Sequence, residues 1–127
     1  MLEWPGRDHE PPVLDHDYLD RLGLHLGPAA LAELITDGLI EIADRLHRLA
    51  ELACTPDDAA TARFAHDLVG VAGNLGLSAL AASAAELQRA ARDGDRSRLP
   101  GLLATLQAAG AAGEAALREA LAGLSGT

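Results

Sequence analysis

Apolar positions along this chain recur every three to four residues, which is the spacing of one face of an α-helix. After Pro28 they advance by alternating steps of four and three, through Ile35, Leu39, Ile42, Leu46, Leu49 and Ala53. No stretch shows the strict apolar–polar alternation that is typical of a half-buried strand. The pattern therefore predicts an all-α protein.

Glycine and proline mark where these helices begin and end. A short first helix is predicted after Leu14; it ends at Gly23 or Gly27, and Pro28 then opens a long second helix. The sequence Thr55-Pro56-Asp57-Asp58 offers a capping hydroxyl, a first-turn proline and two acids for the positive end of a helix. A third helix is therefore predicted to start near residue 56.

The third helix is predicted to run to about Asn74, and Ser78 can cap a fourth helix that continues to residue 93 or 94. A last helix is predicted to start between residues 95 and 100. Long helices joined by short loops are typical of an antiparallel up-and-down four-helix bundle. The short first helix is an extra N-terminal element of that bundle.

The chain is predicted to hold one domain behind a tail. Residues 1–13 contain three prolines, a glycine and scattered charge but no apolar period, so they are predicted to form a flexible N-terminal tail. Residues 14–127 have the length of a single domain with one core.

Composition favours helices and narrows the class of partner. Alanine and leucine supply 51 of 127 residues, whereas valine and isoleucine supply three each. The net charge of -9 argues against binding to nucleic acid or to an anionic membrane surface. No apolar run approaches the roughly 20 residues of a membrane-spanning helix. Because Cys54 is the single cysteine and the first residues do not resemble a secretory signal, we expect a cytoplasmic protein.

The third helix carries the candidate chemistry. At about 100° per residue, its predicted core face consists of Phe64, Leu68, Val71 and Leu75. The opposite face surrounds one histidine with residues that have little or no side chain, and it consists of Ala59, Ala62, Arg63, His66, Gly70, Gly73 and Leu77. Each interior glycine lowers helix stability by about 0.8–1 kcal/mol relative to alanine, so we expect a close contact to need that space.

A neutral imidazole keeps a lone pair on one ring nitrogen and is a nucleophile. Attack on an activated phosphoryl group needs in-line positioning and charge stabilisation, which a partner protein can supply. The sequence shows no glycine-rich phosphate loop, no paired cysteines and no histidine spacing that predicts a metal site. An accessible histidine is thus the one feature that points to chemistry.

The residues 65–76, AHDLVGVAGNLG, resemble the phosphorylation motif of histidine-containing phosphotransfer (HPt) domains, which reads roughly AHxLKGxxxxLG. The similarity extends to Leu14-Asp15, to the leucine before Gln88 and to the AARDGD segment at residues 90–95, and it covers about residues 14–127. It implies a four-helix bundle in which a histidine takes a phosphoryl group from an aspartate of one receiver domain and gives it to another.

The resemblance also implies a role for particular residues. His66 is the implied carrier, and Gln88 matches a polar position that orients the imidazole. The implied docking surface for a receiver consists of Ala62, Val69, Gly70, Gly73, Asn74 and Leu77. Val69 stands where the family usually has a lysine, and our hypothesis is that Arg63 offers its guanidinium to the phosphoryl oxygens instead.

The sequence thus predicts a phosphotransfer protein of a two-component phosphorelay, which is a phosphoryl carrier without catalytic turnover of its own. We expect a monomer that binds no cofactor or metal, and whose partners are receiver domains of response regulators or hybrid histidine kinases, with Mg²⁺ on the receiver. Two alternatives stay open. One is a degenerate module that binds a receiver or kinase without phosphotransfer, because Val69 replaces the lysine; the other is a structural dimerisation bundle.

Overall fold

A computed structural model describes residues 10–125, which form five α-helices and no strand. The helices are α1 His16–Leu26, α2 Pro28–Leu52, α3 Asp58–Asn74, α4 Ser78–Arg92 and α5 Leu99–Ser125. The prediction of an all-α protein is confirmed. Most of the predicted tail, residues 1–9, lies outside the described residues, as do the last two residues.

The four long helices enclose one apolar core. Consecutive helices from α2 to α5 contact each other, α2 also contacts α5, and α1 packs on α2. The predicted stripe of α2 is buried at four positions, whereas Ala53 is exposed because α2 ends one residue earlier. The largest fully buried side chains are Ile35, Ile42, Leu49, Leu68, Leu75, Leu77, Leu80, Leu87, Leu106 and Leu117.

The start of α3 differs from its prediction because an aspartate takes the capping role predicted for Thr55. The Asp57 Oδ1 atom accepts a hydrogen bond of 3.0 Å from the backbone N–H of Ala60, and the backbone of Asp57 is extended, as a cap requires. Asp58 then lies in the first turn, where its charge complements the helix dipole. The prediction of a Thr55 cap was therefore wrong, and α3 starts two residues after the predicted position near residue 56.

Ser78 begins α4 but does not cap it with its side chain. A backbone group from outside the bundle takes part instead, because the Ala79 N–H donates a 2.9 Å hydrogen bond to the Pro12 carbonyl. This bond satisfies one of the free N–H groups that every helix start leaves. The Ser78 cap was therefore a wrong prediction, and the segment before α1 supplies the missing acceptor.

The turn between α3 and α4 is joined to α1. Asp15 caps α1 by accepting from the Tyr18 N–H at 3.0 Å, and its own N–H donates to the Gly76 carbonyl at 2.8 Å. The Tyr18 hydroxyl donates to the Asn74 carbonyl at 3.0 Å. Gly76 has a φ of +77°, and an added Cβ would lie 2.9 Å from the Tyr18 ring, so only glycine fits this turn.

Two glycines inside helices, Gly38 and Gly110, allow neighbouring helices to pack closely. The Leu75 side chain occupies the space that a Cβ at Gly38 of α2 would need. At Gly110 of α5, a Cβ would lie 2.5 Å from the Leu46 Cδ1 atom. These glycines differ from those beside His66, where an added Cβ would meet nothing within 4 Å.

This contrast predicts opposite effects of one substitution. Gly110→Ala is expected to lower the free energy of unfolding by about 1–2 kcal/mol, because overpacking against the buried Leu46 outweighs the gain in helix propensity. Gly73→Ala is expected to raise it by about 0.5–1 kcal/mol, because the propensity gain meets no clash. Urea denaturation of both variants measures the difference, and shifts of the same sign would contradict it.

Candidate functional site

His66 lies in the third turn of α3 with its side chain exposed. Beneath it α3 buries Ala65, Leu68 and Ala72, and Leu75, which directly follows the helix, is buried as well. The prediction of a core face was right for the two leucines, whereas Phe64 and Val71 are half-buried at its edge. The small Ala65 and Ala72 side chains, which were not predicted to lie on this face, are fully buried in the core.

The face around His66 is open, as the glycines predicted. Gly70 and Gly73 are exposed, and no atom lies within 4 Å of a Cβ added at either position. They therefore do not serve packing between helices within the described residues. Asn74 is also exposed, and Ala62 and Val69 are half-buried.

Leu77 is not part of this surface, and its inclusion in the docking surface was wrong. Its side chain is fully buried, and its Cδ1 atom lies 3.3 Å from the position of a Cβ at Gly113 in α5. The helical register of α3 does not continue to Leu77, because α3 ends at Asn74 and the chain turns at Gly76.

Gln88 of α4 contacts the imidazole. Its side-chain amide lies against the ring, with Nε2 of Gln88 3.1 Å from Nδ1 of His66. As placed, the amide N–H donates to Nδ1; because a half-turn exchanges the two ends of an amide, the oxygen can take the same place and accept from an Nδ1–H. In this arrangement the neutral ring has its lone pair on Nε2, which has no hydrogen-bond partner among residues 10–125.

Arg63 lies one turn before His66 and is exposed, but it packs on a different group. Its Cζ atom is 5.2 Å from the centre of the Phe64 ring, and the Cζ atom of Arg48 in α2 is 5.7 Å from the same ring. Such cation–π contacts contribute about 0.5–1 kcal/mol at exposed sites. Within the described residues no hydrogen bond joins Arg63 to His66, so its role at a phosphoryl group stays a prediction.

A chain of ion pairs beside His66 was not predicted from the sequence. The Arg45 Nε–H donates to Asp67 Oδ2 at 2.9 Å, and its Nη1–H donates to Asp44 Oδ2 at 2.6 Å. Arg48, which lies in α2 with Arg45 and Asp44, pairs with Asp44 at 3.1 Å. The hydrogen bond with Asp67 is the main cause that raises the pKa of Arg45, and the bond with Arg45 is the main cause that lowers the pKa of Asp44.

Such a network of ion pairs between two helices is difficult to predict from a single sequence. Asp67 directly follows His66, and α2 carries Arg45 and Arg48, three residues apart. Neither fact indicates which of these residues lie next to each other when α2 packs on α3. The pairing depends on how α2 and α3 align.

Residues 10–125 contain no group of three or more histidine, cysteine or acidic side chains placed to hold a metal ion. Among the helices of this part of the chain, none is long and apolar enough to cross a membrane.

The model of the Hpt domain family matches residues 17–126. No curated protein matches the chain. Among solved structures, the crystal structure of histidine-containing phosphotransfer protein B (HptB) from Pseudomonas aeruginosa PAO1 is similar, with a TM-score of 0.81 and 24% sequence identity over 87% of this chain and 95% of that one. That similarity concerns the fold. Since the family model matches most of the sequence, this chain belongs to the Hpt domain family.

Proposed function

We propose that this protein is a histidine phosphotransfer protein of a two-component phosphorelay and that it carries a phosphoryl group on His66. The observation that carries the proposal is the setting of His66, which is exposed, contacts Gln88 through Nδ1 and stands on a face with no side chains at Gly70 and Gly73. Family membership supports the same activity.

The transfer needs little from this chain beyond a positioned nucleophile. The lone pair on Nε2 of His66 attacks the phosphorus of an aspartyl phosphate on a receiver domain. The new N–P bond forms while the bond from phosphorus to the aspartyl oxygen breaks, and the carboxylate leaves. The proton on Nδ1 stays on the ring, bound to the Gln88 oxygen. A carboxylate of a second receiver later attacks the same phosphorus, and the N–P bond breaks.

The partners in this proposal are receiver domains of response regulators or hybrid histidine kinases. They dock on the exposed face of α3 and its edge with α4, where the small side chains let a receiver's loops approach the imidazole. Mg²⁺ belongs to the receiver and offsets the charge on the transferring oxygens. The protein acts as a cytoplasmic monomer that carries the group without catalytic turnover of its own.

The arrangement of helices that we propose is an antiparallel up-and-down bundle of α2 to α5, with α1 as the short extra helix. Short connections between contacting helices support it, because such loops reverse the chain direction.

The test is to incubate the protein with a panel of receiver domains phosphorylated by acetyl phosphate in the presence of Mg²⁺. We expect an acid-labile, base-stable label in the tryptic peptide of residues 64–89, which contains one histidine. Binding of receivers without any label would favour the degenerate module instead. Light scattering at several concentrations tests the dimerisation bundle, which predicts a mass that rises with concentration and a covered His66.

Gln88→Leu is expected to lower the rate of phosphoryl uptake by about tenfold to a hundredfold, because the oxygen that keeps the proton on Nδ1 is lost. The ¹⁵N chemical shifts of the ring report which nitrogen is protonated, and we expect the proton to move from Nδ1 towards Nε2 in the variant. Arg89→Leu, at the next and exposed position, is the control. An unchanged tautomer in Gln88→Leu would remove Gln88 from this role.

A further inference from the structure

Asp67 brings a negative charge close to the proposed phosphoryl site. It directly follows His66 in α3, so the two side chains leave neighbouring sides of the helix about 100° apart. A phosphoryl group carries about -1.5 to -2 charges at pH 7. An unpaired carboxylate at this position would therefore repel the group that His66 is proposed to carry.

Arg45 of α2 compensates this charge. Its Nε–H binds Asp67 Oδ2 at 2.9 Å, and the side chains of Arg45 and Asp67 are only 28% and 31% exposed. The pair is thus partly shielded from water, and salt screens it less than a fully exposed pair. The second branch of the Arg45 guanidinium binds Asp44, which Arg48 also contacts, so the network holds Arg45 on the side of α3 where Asp67 lies.

We infer that Arg45 is a positioning residue for phosphotransfer, which neutralises Asp67 and holds its carboxylate towards α2 so that the face of His66 accepts an anionic group. This inference rests on the proposed function, since the phosphoryl group is its reason. If the Arg45–Asp67 pair only held α2 and α3 together, its loss would lower stability but would not change the relative rates at which His66 reacts with anionic and neutral reagents.

The electrostatic effect of nearby charges on His66 can be measured without any phosphotransfer, by comparing an anionic and a neutral reagent. Bromoacetate and bromoacetamide have similar size and the same reaction at an imidazole nitrogen, where an N–C bond forms and bromide leaves, but only bromoacetate is an anion. The ratio of their rates at His66, measured by mass spectrometry of the tryptic peptide 64–89, therefore reports the local field. Cys54 lies in another peptide and does not interfere.

Arg45→Gln is expected to lower the ratio of bromoacetate to bromoacetamide rates about twofold to fourfold, because it frees the charge of Asp67. Asp67→Asn is expected to raise the ratio by a similar factor, and the double variant to return close to the unsubstituted protein. Both single-variant shifts are expected to shrink at high salt. Arg48→Gln is the matched control, since it removes the same charge and leaves Asp67 paired.

The same variants are then treated with phosphoramidate, a small anionic phosphoryl donor, and we expect His66 labelling to follow the same order. A fall of both the ratio and the labelling in Arg45→Gln, with recovery in the double variant, supports the inference. If the ratio shifts as expected but phosphoramidate and phosphorylated receivers label no variant, the charge role stands and the proposed function fails.

An unchanged ratio in a folded Arg45→Gln variant overturns the inference, whether or not its labelling falls. Equal effects of Arg45→Gln and Arg48→Gln on the ratio overturn it as well, because the effect would then be one of net charge. Circular dichroism and urea denaturation establish that each variant is folded before either reaction is compared.

Discussion

Replacing His66 with glutamine is expected to abolish phosphoryl uptake from receivers while leaving receiver binding intact. Glutamine is similar in size but has no ring nitrogen with a free lone pair, so no N–P bond can form. Because the position is exposed, the change in stability is expected to stay within about 0.5 kcal/mol. Labelling is expected to fall at least about a hundredfold, limited by the background of the assay.

Competition between His66→Gln and the unsubstituted protein for a receiver distinguishes a phosphoryl carrier from a degenerate binding module. If His66 is the carrier on a docking face, His66→Gln still occupies the receiver and slows labelling of the unsubstituted protein when the two are mixed. If the chain is a degenerate module, both proteins bind and neither is labelled. His47→Gln, an exposed histidine on α2, is the matched control and is expected to be labelled normally. Labelling of His66→Gln would place the phosphoryl group on another residue.

Much of the fold could be predicted because its signals are local. The step pattern after Pro28 gave α2, and Gly27, with a φ of +85°, separates it from α1 as glycine positions indicate. The caps were predicted less well. Whether Thr55 or Asp57 caps α3 depends on which oxygen reaches an N–H two or three residues later, and the chain path around Pro56 decides that.

The site shows a similar limit. His66 and its open face follow from helical spacing, because Gly70 and Gly73 recur with it on one side of α3. Extending that spacing to Leu77 failed, since periodicity does not show where a helix stops. Contacts between helices were accessible only through family resemblance, as for Gln88, or not at all, as for Arg45 and Asp67, because they depend on the alignment of separate helices.

Gly70→Leu is expected to lower transfer from phosphorylated receivers by about a hundredfold or more and to stabilise the protein. Leucine has a higher helix propensity than glycine by nearly 1 kcal/mol, and an added Cβ at this exposed position meets no atom of the chain within 4 Å. The same side chain stands one turn from His66, where the proposed docking brings a receiver's loops. A misplacement of even 1 Å at a reacting centre can slow a reaction about a hundredfold.

Labelling with phosphoramidate shows whether such a loss comes from blocked docking of the receiver or from a less reactive His66. Phosphoramidate is small enough to reach His66 without docking, so labelling by phosphoramidate is expected to stay within about twofold in Gly70→Leu while transfer from receivers is lost. Gly101→Leu is the matched control, because it makes the same substitution at an exposed glycine of α5 with open space around it. Normal transfer to Gly70→Leu would mean that receivers dock elsewhere. Loss of transfer together with higher stability would instead explain why glycine, and not the abundant alanine, occupies this face.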